Sequence, residues 1–183
     1  MADFFHDKFC SLFERVTDVD SGKLFAITKH ILQTRENGGK VIVVGNGGSA
    51  AIASHVAVDL TKVAGFRAVS FNEAALLTCL SNDYGYDRWI EKALEFYADL
   101  EDLIIIISSS GESENMLKAG RFANEFGLTS VTFSGFLPEN SLRNLGCINM
   151  WVDSIDYNIV ENTHQIWLLS VIDLLIKETG GRQ

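Results

Sequence analysis

The hydrophobic positions along this chain follow two different spacings. Runs of consecutive apolar residues predict buried strands at 40–44, 67–70, 103–107, 129–133 and 148–152. Elsewhere apolar residues recur every three or four positions, which predicts a first helix from Phe4 to Val16 and further helices at 21–33, 49–63, 73–80, 86–97, 113–126 and 159–177. Strands alternate with helices and are apolar on both faces. The pattern therefore predicts an α/β three-layer sandwich with a mainly parallel central sheet and extra N- and C-terminal helices.

The last predicted helix is more apolar than a helix with one exposed face should be. Its apolar residues cover almost the whole circumference: Ile166, Trp167, Leu168, Leu169, Val171, Ile172, Leu174, Leu175 and Ile176. Such a helix is buried on more than one side. Since a chain of 183 residues offers little material to cover both sides, we expect a homo-oligomer.

Composition narrows the class of protein. A chain with 47% hydrophobic residues and a single proline predicts one domain, 1–183, without a linker. The net charge of −9 argues against a nucleic-acid partner. Three widely spaced cysteines are typical of reduced thiols in a cytoplasmic protein. The first residues lack the pattern of a signal peptide, and the apolar runs are strand-sized or broken by charge, so we expect no membrane partner.

Two loops carry the candidate chemistry. The strand at 41–44 is followed directly by Gly45-Asn46-Gly47-Gly48-Ser49, and the strand at 103–107 by Ser108-Ser109-Ser110-Gly111-Glu112-Ser113, and a predicted helix follows each loop. Small residues at a helix N-terminus let backbone N–H groups approach an anion, and serine hydroxyls add further donors. The alternative for the serines is simple helix capping. Two such loops favour a phosphate site, and the G-x-G-x-x-G spacing of dinucleotide-binding proteins is absent, so no nucleotide cofactor is expected.

A histidine and a carboxylate follow the first loop on the same helix. His55 and Asp59 are four residues apart, which places both side chains on one helix face. That spacing suits a metal pair or an acid–base pair. A solvated pair on a surface helix has the same spacing, so the residues alone leave both interpretations open.

Three motifs in this order resemble the sugar isomerase (SIS) domain. They are GNGGSA at 45–50, SNDYG at 81–85 and SSSGES at 108–113, and the resemblance runs from about Leu12 to Lys177. The chain is most similar to the phosphoheptose isomerase subgroup. This resemblance implies a flavodoxin-like sheet. It also implies that the protein converts sedoheptulose 7-phosphate, or a related ketose phosphate, through an enediol; the product from sedoheptulose 7-phosphate is D-glycero-D-manno-heptose 7-phosphate. The pathway that it implies is the supply of heptose for lipopolysaccharide or capsule. The resemblance also implies a tetramer to which the N-terminal helices, about 3–35, contribute.

The resemblance also assigns binding residues. The residues that it implies for the sugar are Asn46, Gly47, Gly48, Ser49, Asn82 and Asp83, and those for the phosphate are Ser108, Ser109, Ser110 and Ser113. Taken alone, the Ser81–Gly85 motif is as typical of a turn. Glu112 has to point away from a bound dianion, because it lies inside the phosphate loop.

The implied zinc and catalytic site departs from the family pattern. His55 and Asp59 match a His–Glu zinc pair of the family, while Glu161 stands where the family has Gln and Leu169 where it has a second His. Either His55, Asp59 and Glu161 together bind zinc and catalyse proton transfer, or the chain lacks the usual mechanism. Asp173 is a candidate for a substitute acid, and so is His164 if the start of the helix turns it inward; the alternative for His164 is a packed or exposed residue without a catalytic role. The alternative function is a non-catalytic SIS protein that binds a sugar phosphate or a protein and acts as a regulator or scaffold.

Overall fold

A five-stranded parallel sheet organises the part of the chain that the computed structural model describes, residues 2–180. The strand order is β2-β1-β3-β4-β5. The strands are β1 Val41–Gly45, β2 Ala68–Ser70, β3 Leu103–Ser108, β4 Thr129–Ser134 and β5 Ile148–Trp151. Every neighbouring pair is parallel, so all carboxyl ends lie at one edge. β1 and β3 are fully buried, which agrees with their continuous apolar sequences.

Helices cover both faces of this sheet. They are α1 Ala2–Thr17, α2 Ser21–Glu36, α3 Gly47–Lys62, α4 Ala74–Tyr84, α5 Trp89–Tyr97, α6 Glu114–Phe126 and α7 Tyr157–Thr179, with a short 3₁₀ helix at Ser141–Asn144. Alternate strand residues point to opposite faces. Val43 and Ile105 pack in one core with α2, α3 and α7, whereas Ile42 and Ile104 pack in a second core with α4, α5 and α6. The three-layer α/β sandwich is thereby confirmed.

The α7 helix is a core helix in this arrangement. It packs against α1, α2 and α3, and its inward residues Trp167, Leu168 and Val171 are buried. By length and composition it is apolar enough to cross a membrane, but half of its most apolar stretch is buried inside the fold. The expectation that every apolar run is too short or too charged to span is therefore wrong for α7. Three neighbouring helices of the same chain supply much of the cover that we expected from a second copy.

The boundaries of two elements differ from the sequence prediction. The α4 helix continues to Tyr84, and Gly85 caps it with a φ of +90° and an N–H that donates to the Ser81 carbonyl. The Ser81–Gly85 motif is therefore the end of a helix, not a free turn. The 3₁₀ helix at Ser141–Asn144 lies in a stretch without apolar periodicity, and it packs against β4 and α6.

Candidate functional site

The two predicted loops meet at the edge formed by the carboxyl ends of the strands. Gly45 at the end of β1 is in register with Ile107 near the end of β3. The chain leaves β1 toward α3 and β3 toward α6, and the strand order reverses between these two strands. In doubly wound sheets, ligands bind at such a reversal. The topology therefore brings the glycine loop and the serine loop together.

A polar cleft of about 240 Å³ lies between the loops. Its lining comprises Asn46, Gly47, Gly48, Ser49, Ile107, Ser108, Ser109, Ser110, Ser113, Tyr157 and Glu161. Most of these residues were predicted for substrate binding, and the structure brings that group together. Among residues 2–180, Glu161 is the one charged side chain in the lining, and no Lys or Arg is present. An anion in the cleft would be bound by hydroxyls and backbone N–H groups.

The glycine loop is shaped by two neighbouring glycines with different requirements. Gly47 has a φ of +53°, a left-handed conformation that glycine adopts without strain. Gly48 leaves room for a neighbouring side chain, because a Cβ there would lie 2.1 Å from Oε2 of Glu161. The Glu161 carboxylate thus lies directly against the N-terminus of α3. The positive end of the helix dipole stabilises a carboxylate in that position.

An amide pair fastens the glycine loop to the start of α6. Nδ2 of Asn46 donates to Oδ1 of Asn115 and Nδ2 of Asn115 donates to Oδ1 of Asn46, both at 2.9 Å. Asn115 is buried and also accepts the N–H of Met116. The phenol of Tyr86 donates to the same Asn46 oxygen at 3.1 Å. Most of the hydrogen-bonding capacity of Asn46 is therefore spent on the protein itself, so this side chain holds the two loops in place.

The serine loop is held by hydrogen bonds of its own and leads directly into α6. The Ser108 hydroxyl accepts the N–H of Gly111 at 3.2 Å and lies 3.5 Å from the Ser113 hydroxyl. Ser113 is the N-cap residue of α6, but its side chain makes no capping bond. The alternative of simple helix capping therefore does not describe this serine. Ser113 instead lies in the lining of the cleft, at the N-terminus of α6, where helices favour anions.

Glu112 points away from the serine loop, as expected. Its Oε1 accepts the backbone N–H of Ser141 at 2.7 Å, and its Oε2 accepts the Ser141 hydroxyl at 2.9 Å. Neighbouring backbone contacts hold the same two segments together, since the N–H of Leu142 donates to the carbonyl of Gly111 at 3.0 Å. The carboxylate is therefore bound to the segment that follows β4 and not to the cleft.

The first turns of α7 deliver Glu161 and Tyr157 to the cleft. Asp156 caps this helix by accepting the N–H groups of Asn158 and Ile159, and it also pairs with Lys8 of α1. Glu161 is half-buried, and its Oε1 lies 3.4 Å from the hydroxyl of Ser109. It lies one helical turn beyond Tyr157, so both side chains project to the same side of α7.

His55 and Asp59 form a pair outside this lining. Nε2 of His55 lies 3.2 Å from Oδ2 of Asp59, and the amide Nε2 of Gln165 lies 3.3 Å from Nδ1 of His55. If the Gln165 amide donates, Nδ1 is the acceptor and the Nε2–H of a neutral imidazole donates to Asp59. The pair lies beside α7 with the His55 side chain 46% exposed. Its role as an acid–base pair stays a prediction.

Zinc does not fit the residues of a single chain. Within residues 2–180, no group of three His, Cys, Asp or Glu side chains is close enough to hold a metal ion. His55 and Asp59 supply two ligands, while Glu161 is directed into the cleft against Gly48. Structural and catalytic zinc sites have at least three protein ligands. We therefore derive no step through a metal, and the zinc set His55, Asp59 and Glu161 stays a prediction.

Other predicted residues lie away from the cleft. Asn82 and Asp83 are exposed on the last turn of α4 and hydrogen-bond to each other at 2.9 Å. Because α4 continues through them, neither side chain lines the cleft of the same chain. Their role in sugar binding stays a prediction. Leu169 packs against the core beneath α7, and Asp173 is exposed on the same helix.

His164 is a packed core residue. It is fully buried between Phe133 and Trp167, and its Nε2 lies 3.0 Å from the carbonyl oxygen of Ser134. Burial lowers the pKa of His164 to about 4, against the smaller opposing effect of the Ser134 hydrogen bond. The imidazole is therefore neutral at pH 7, and its position in the core does not suit it as an acid for a ligand in the cleft.

Sequence reasoning missed Tyr157, Asn115 and Tyr86. Tyr157 carried a signal, because it stands four residues before Glu161 on the same helix face. Asn115 carried none, since an Asn in the first turn of a helix is ordinary there. Tyr86 follows the Ser81–Gly85 motif and reaches the glycine loop only because Gly85 ends α4 and turns the chain.

Comparison with known proteins finds relatives in both sequence and fold. The model of the SIS domain family matches residues 4–135. A phosphoheptose isomerase from Helicobacter pylori (strain P12) is 32% identical over 151 residues, which cover 79% of this chain and 78% of that protein. One from Aliarcobacter butzleri (strain RM4018) is 32% identical over 157 residues, 82% of each chain. The structure of a phosphoheptose isomerase from Neisseria gonorrhoeae has the same fold, with a TM-score of 0.86 at 24% identity over 95% of this chain and 96% of that one.

Proposed function

Because the chain belongs to the SIS domain family, in its phosphoheptose isomerase group, we propose that it is an aldose–ketose isomerase acting on sedoheptulose 7-phosphate. The product is D-glycero-D-manno-heptose 7-phosphate. The observation that carries this proposal is the cleft itself: among residues 2–180, the serine loop shares the lining with one carboxylate, that of Glu161, and with no Lys or Arg. A phosphate site with a base beside it is what proton transfer within a sugar phosphate needs.

Each part of the cleft has a role in this reaction. The hydroxyls of Ser108, Ser110 and Ser113 and the first N–H groups of α6 bind the phosphate, which fixes the sugar chain in the cleft. Glu161 removes a proton from C1 of the ketose and returns it to C2, while a second proton moves between the two oxygens of the enediol. The first N–H groups of α3 point to the same region and stabilise negative charge on the enediol oxygen.

The geometry favours Glu161 over Asp59 as the base. Glu161 lies in the cleft against Gly48, whereas His55 and Asp59 lie on a neighbouring exposed face of α3 and line no part of the cleft. A second copy packed against this face would bring the pair beside the cleft of that copy. We retain His55 and Asp59 as a second acid–base pair on this condition.

Assembly into a homo-oligomer, a tetramer in our proposal, has support from exposed apolar residues. The residues of α1 that face outward are Phe4, Phe5, Phe9 and Phe13, with exposed fractions between 61% and 69%. Large exposed apolar patches are typical of interaction surfaces.

We propose a cytoplasmic location, in keeping with three unpaired cysteines, and a role in heptose supply for lipopolysaccharide or capsule.

Deuterium exchange tests the proposed function. The purified protein is incubated with sedoheptulose 7-phosphate in D₂O, and incorporation at the carbons next to the carbonyl is followed by NMR. We expect exchange and aldose formation with the wild type, and loss of both with retained binding for Glu161→Gln. Binding without exchange by the wild type would instead identify a non-catalytic SIS protein. Full exchange by Glu161→Gln would reassign the base to Asp59.

A further inference from the structure

Glu112 places a negative charge inside the loop that the proposed function assigns to a phosphate dianion. It lies between Ser110 and Ser113, both of which line the cleft. Within the described residues 2–180, the lining of the cleft contains no Lys or Arg that would offset this charge. Because like charges repel, a carboxylate free to turn toward the cleft would weaken phosphate binding.

We infer that Ser141 is a positioning residue, which holds the Glu112 carboxylate away from the phosphate site; this inference rests on the proposed function. Both carboxylate oxygens are engaged, one by the backbone N–H of Ser141 at 2.7 Å and the other by its hydroxyl at 2.9 Å. Hydrogen bonds to a charged acceptor are stronger than those between neutral groups. The two bonds define one direction for a side chain that would otherwise be free in solvent.

The surroundings of Ser141 keep it in place independently of Glu112. Asn140, its neighbour, is almost fully buried and donates to the carbonyls of Gly135 and Leu137. Leu142, on the other side, is buried and donates its N–H to the Gly111 carbonyl. Ser141 thus stands between two anchored residues, and the exposed carboxylate is the partner that gains order from the contact.

Stepwise removal of the two donors tests this role. Ser141→Ala removes the hydroxyl, and Ser141→Pro removes the N–H as well. Proline is tolerated in the first turn of a helix, and Asn140 has a φ of −58° and a ψ of 147°, which suits the residue before a proline. We expect the dissociation constant of inorganic phosphate, and the KM for sedoheptulose 7-phosphate, to rise slightly in Ser141→Ala and roughly fivefold in Ser141→Pro, with kcat nearly unchanged.

Two further readouts separate repulsion from simple damage to the loop. Combining Glu112→Gln with either Ser141 variant removes the charge, so phosphate affinity should return to the wild-type value. Higher ionic strength should shrink the effect of Ser141→Pro, because salt screens exposed charges. Glu139→Gln, which removes an exposed charge from the same segment, is the matched control and should leave phosphate affinity unchanged.

The outcomes are distinct for the two proposals. Restored affinity in the double variants supports the positioning role. The positioning role is overturned if the Ser141 variants bind phosphate equally weakly with and without Glu112→Gln. It is also overturned if both Ser141 variants bind phosphate as tightly as the wild type. If the proline variant fails to fold, the phosphate affinity of Ser141→Ala decides this second point alone. A wild-type protein that binds neither inorganic phosphate nor sedoheptulose 7-phosphate overturns the proposed function, and the role of Ser141 with it.

Discussion

Substitution of Gly48 by alanine should remove activity without weakening the fold. The added Cβ would lie 2.1 Å from Oε2 and 2.7 Å from Oε1 of Glu161, whereas ordinary contact begins at 3.4 Å. The carboxylate therefore has to move by more than 1 Å, and it can do so because it is the far end of a flexible side chain. A displacement of about 1 Å at a reacting group costs roughly 100-fold in rate, or about 2.7 kcal/mol of activation free energy.

Stability should change little in this variant. Gly48 has helical geometry in the first turn of α3, where alanine is favoured over glycine by up to about 0.5 kcal/mol. For a chain of this length that corresponds to a rise in Tm of about 1–2 °C. The assay is kcat for isomerisation of sedoheptulose 7-phosphate together with Tm by calorimetry, and the expected result is a 100-fold lower kcat with Tm unchanged or slightly raised.

Gly47→Ala is the matched control. A Cβ at Gly47 meets nothing within 4 Å, but the φ of +53° strains any residue other than glycine. This variant should lose about 1 kcal/mol of stability, which is a fall in Tm of about 2–4 °C, and lose far less kcat than Gly48→Ala. If Gly48→Ala acts through Glu161, it should add nothing to Glu161→Gln. Wild-type kcat in Gly48→Ala, or additive losses in the double variant, would refute the reasoning.

Three further variants test separate parts of the structure. Ser110→Ala combined with Ser113→Ala removes two neutral donors, so the KM for sedoheptulose 7-phosphate should rise roughly 10- to 100-fold at about 1 kcal/mol per bond, and an unchanged KM would contradict the phosphate assignment. Asn115→Ala leaves the half-buried Asn46 amide without this partner, so urea unfolding should show about 1–2 kcal/mol less stability, against a loss below about 0.5 kcal/mol if the amide pair contributes nothing. The folded-state pKa of His164 is lowered to about 4, below its unfolded value of 6.5, so protonation favours unfolding. The contribution of this neutral histidine to the free energy of unfolding is therefore fully present above pH 6.5 and is lost as the pH falls from 6.5 to 4. We expect about 2 kcal/mol lost between pH 7 and 5 through this group, and a correspondingly shallower pH dependence in His164→Gln; the same slope in both proteins would disprove it.

The fold was predictable from the sequence because its strands are buried on both faces. The continuous apolar runs at Val41–Val44 and Leu103–Ile107 mark β1 and β3 to within a residue at each end. The end of α4 was less predictable, because the polar residues Asn82 and Asp83 suit a turn and a helix end equally well. The conformation of Gly85 decides between them, and a φ of +90° cannot be read from the letter G.

The candidate site was predictable where local sequence defines it. The glycine and serine loops follow their strands directly, so topology alone brings Gly48 and Ser110 together. The contact between Glu161 and Gly48 depends on how α7 packs beside α3, which no local pattern encodes. The same holds for Asn115, since its partner Asn46 is 69 residues away in sequence. The separation of Glu161 from His55 and Asp59 is a property of three-dimensional packing as well.

The amide pair of Asn46 and Asn115 has a consequence for the order in which the protein becomes functional during synthesis. The glycine loop emerges early, yet it lacks its partner until a further 69 residues have been made. The carboxylate that faces both loops arrives later still, on the last helix of the chain. Since domains fold as units during translation, a chain interrupted before α7 would lack a core helix and, with it, both the folded cleft and the base that we propose. Binding and proton transfer should therefore appear together, at the end of synthesis, so that no partly made chain can sequester the sugar phosphate without converting it.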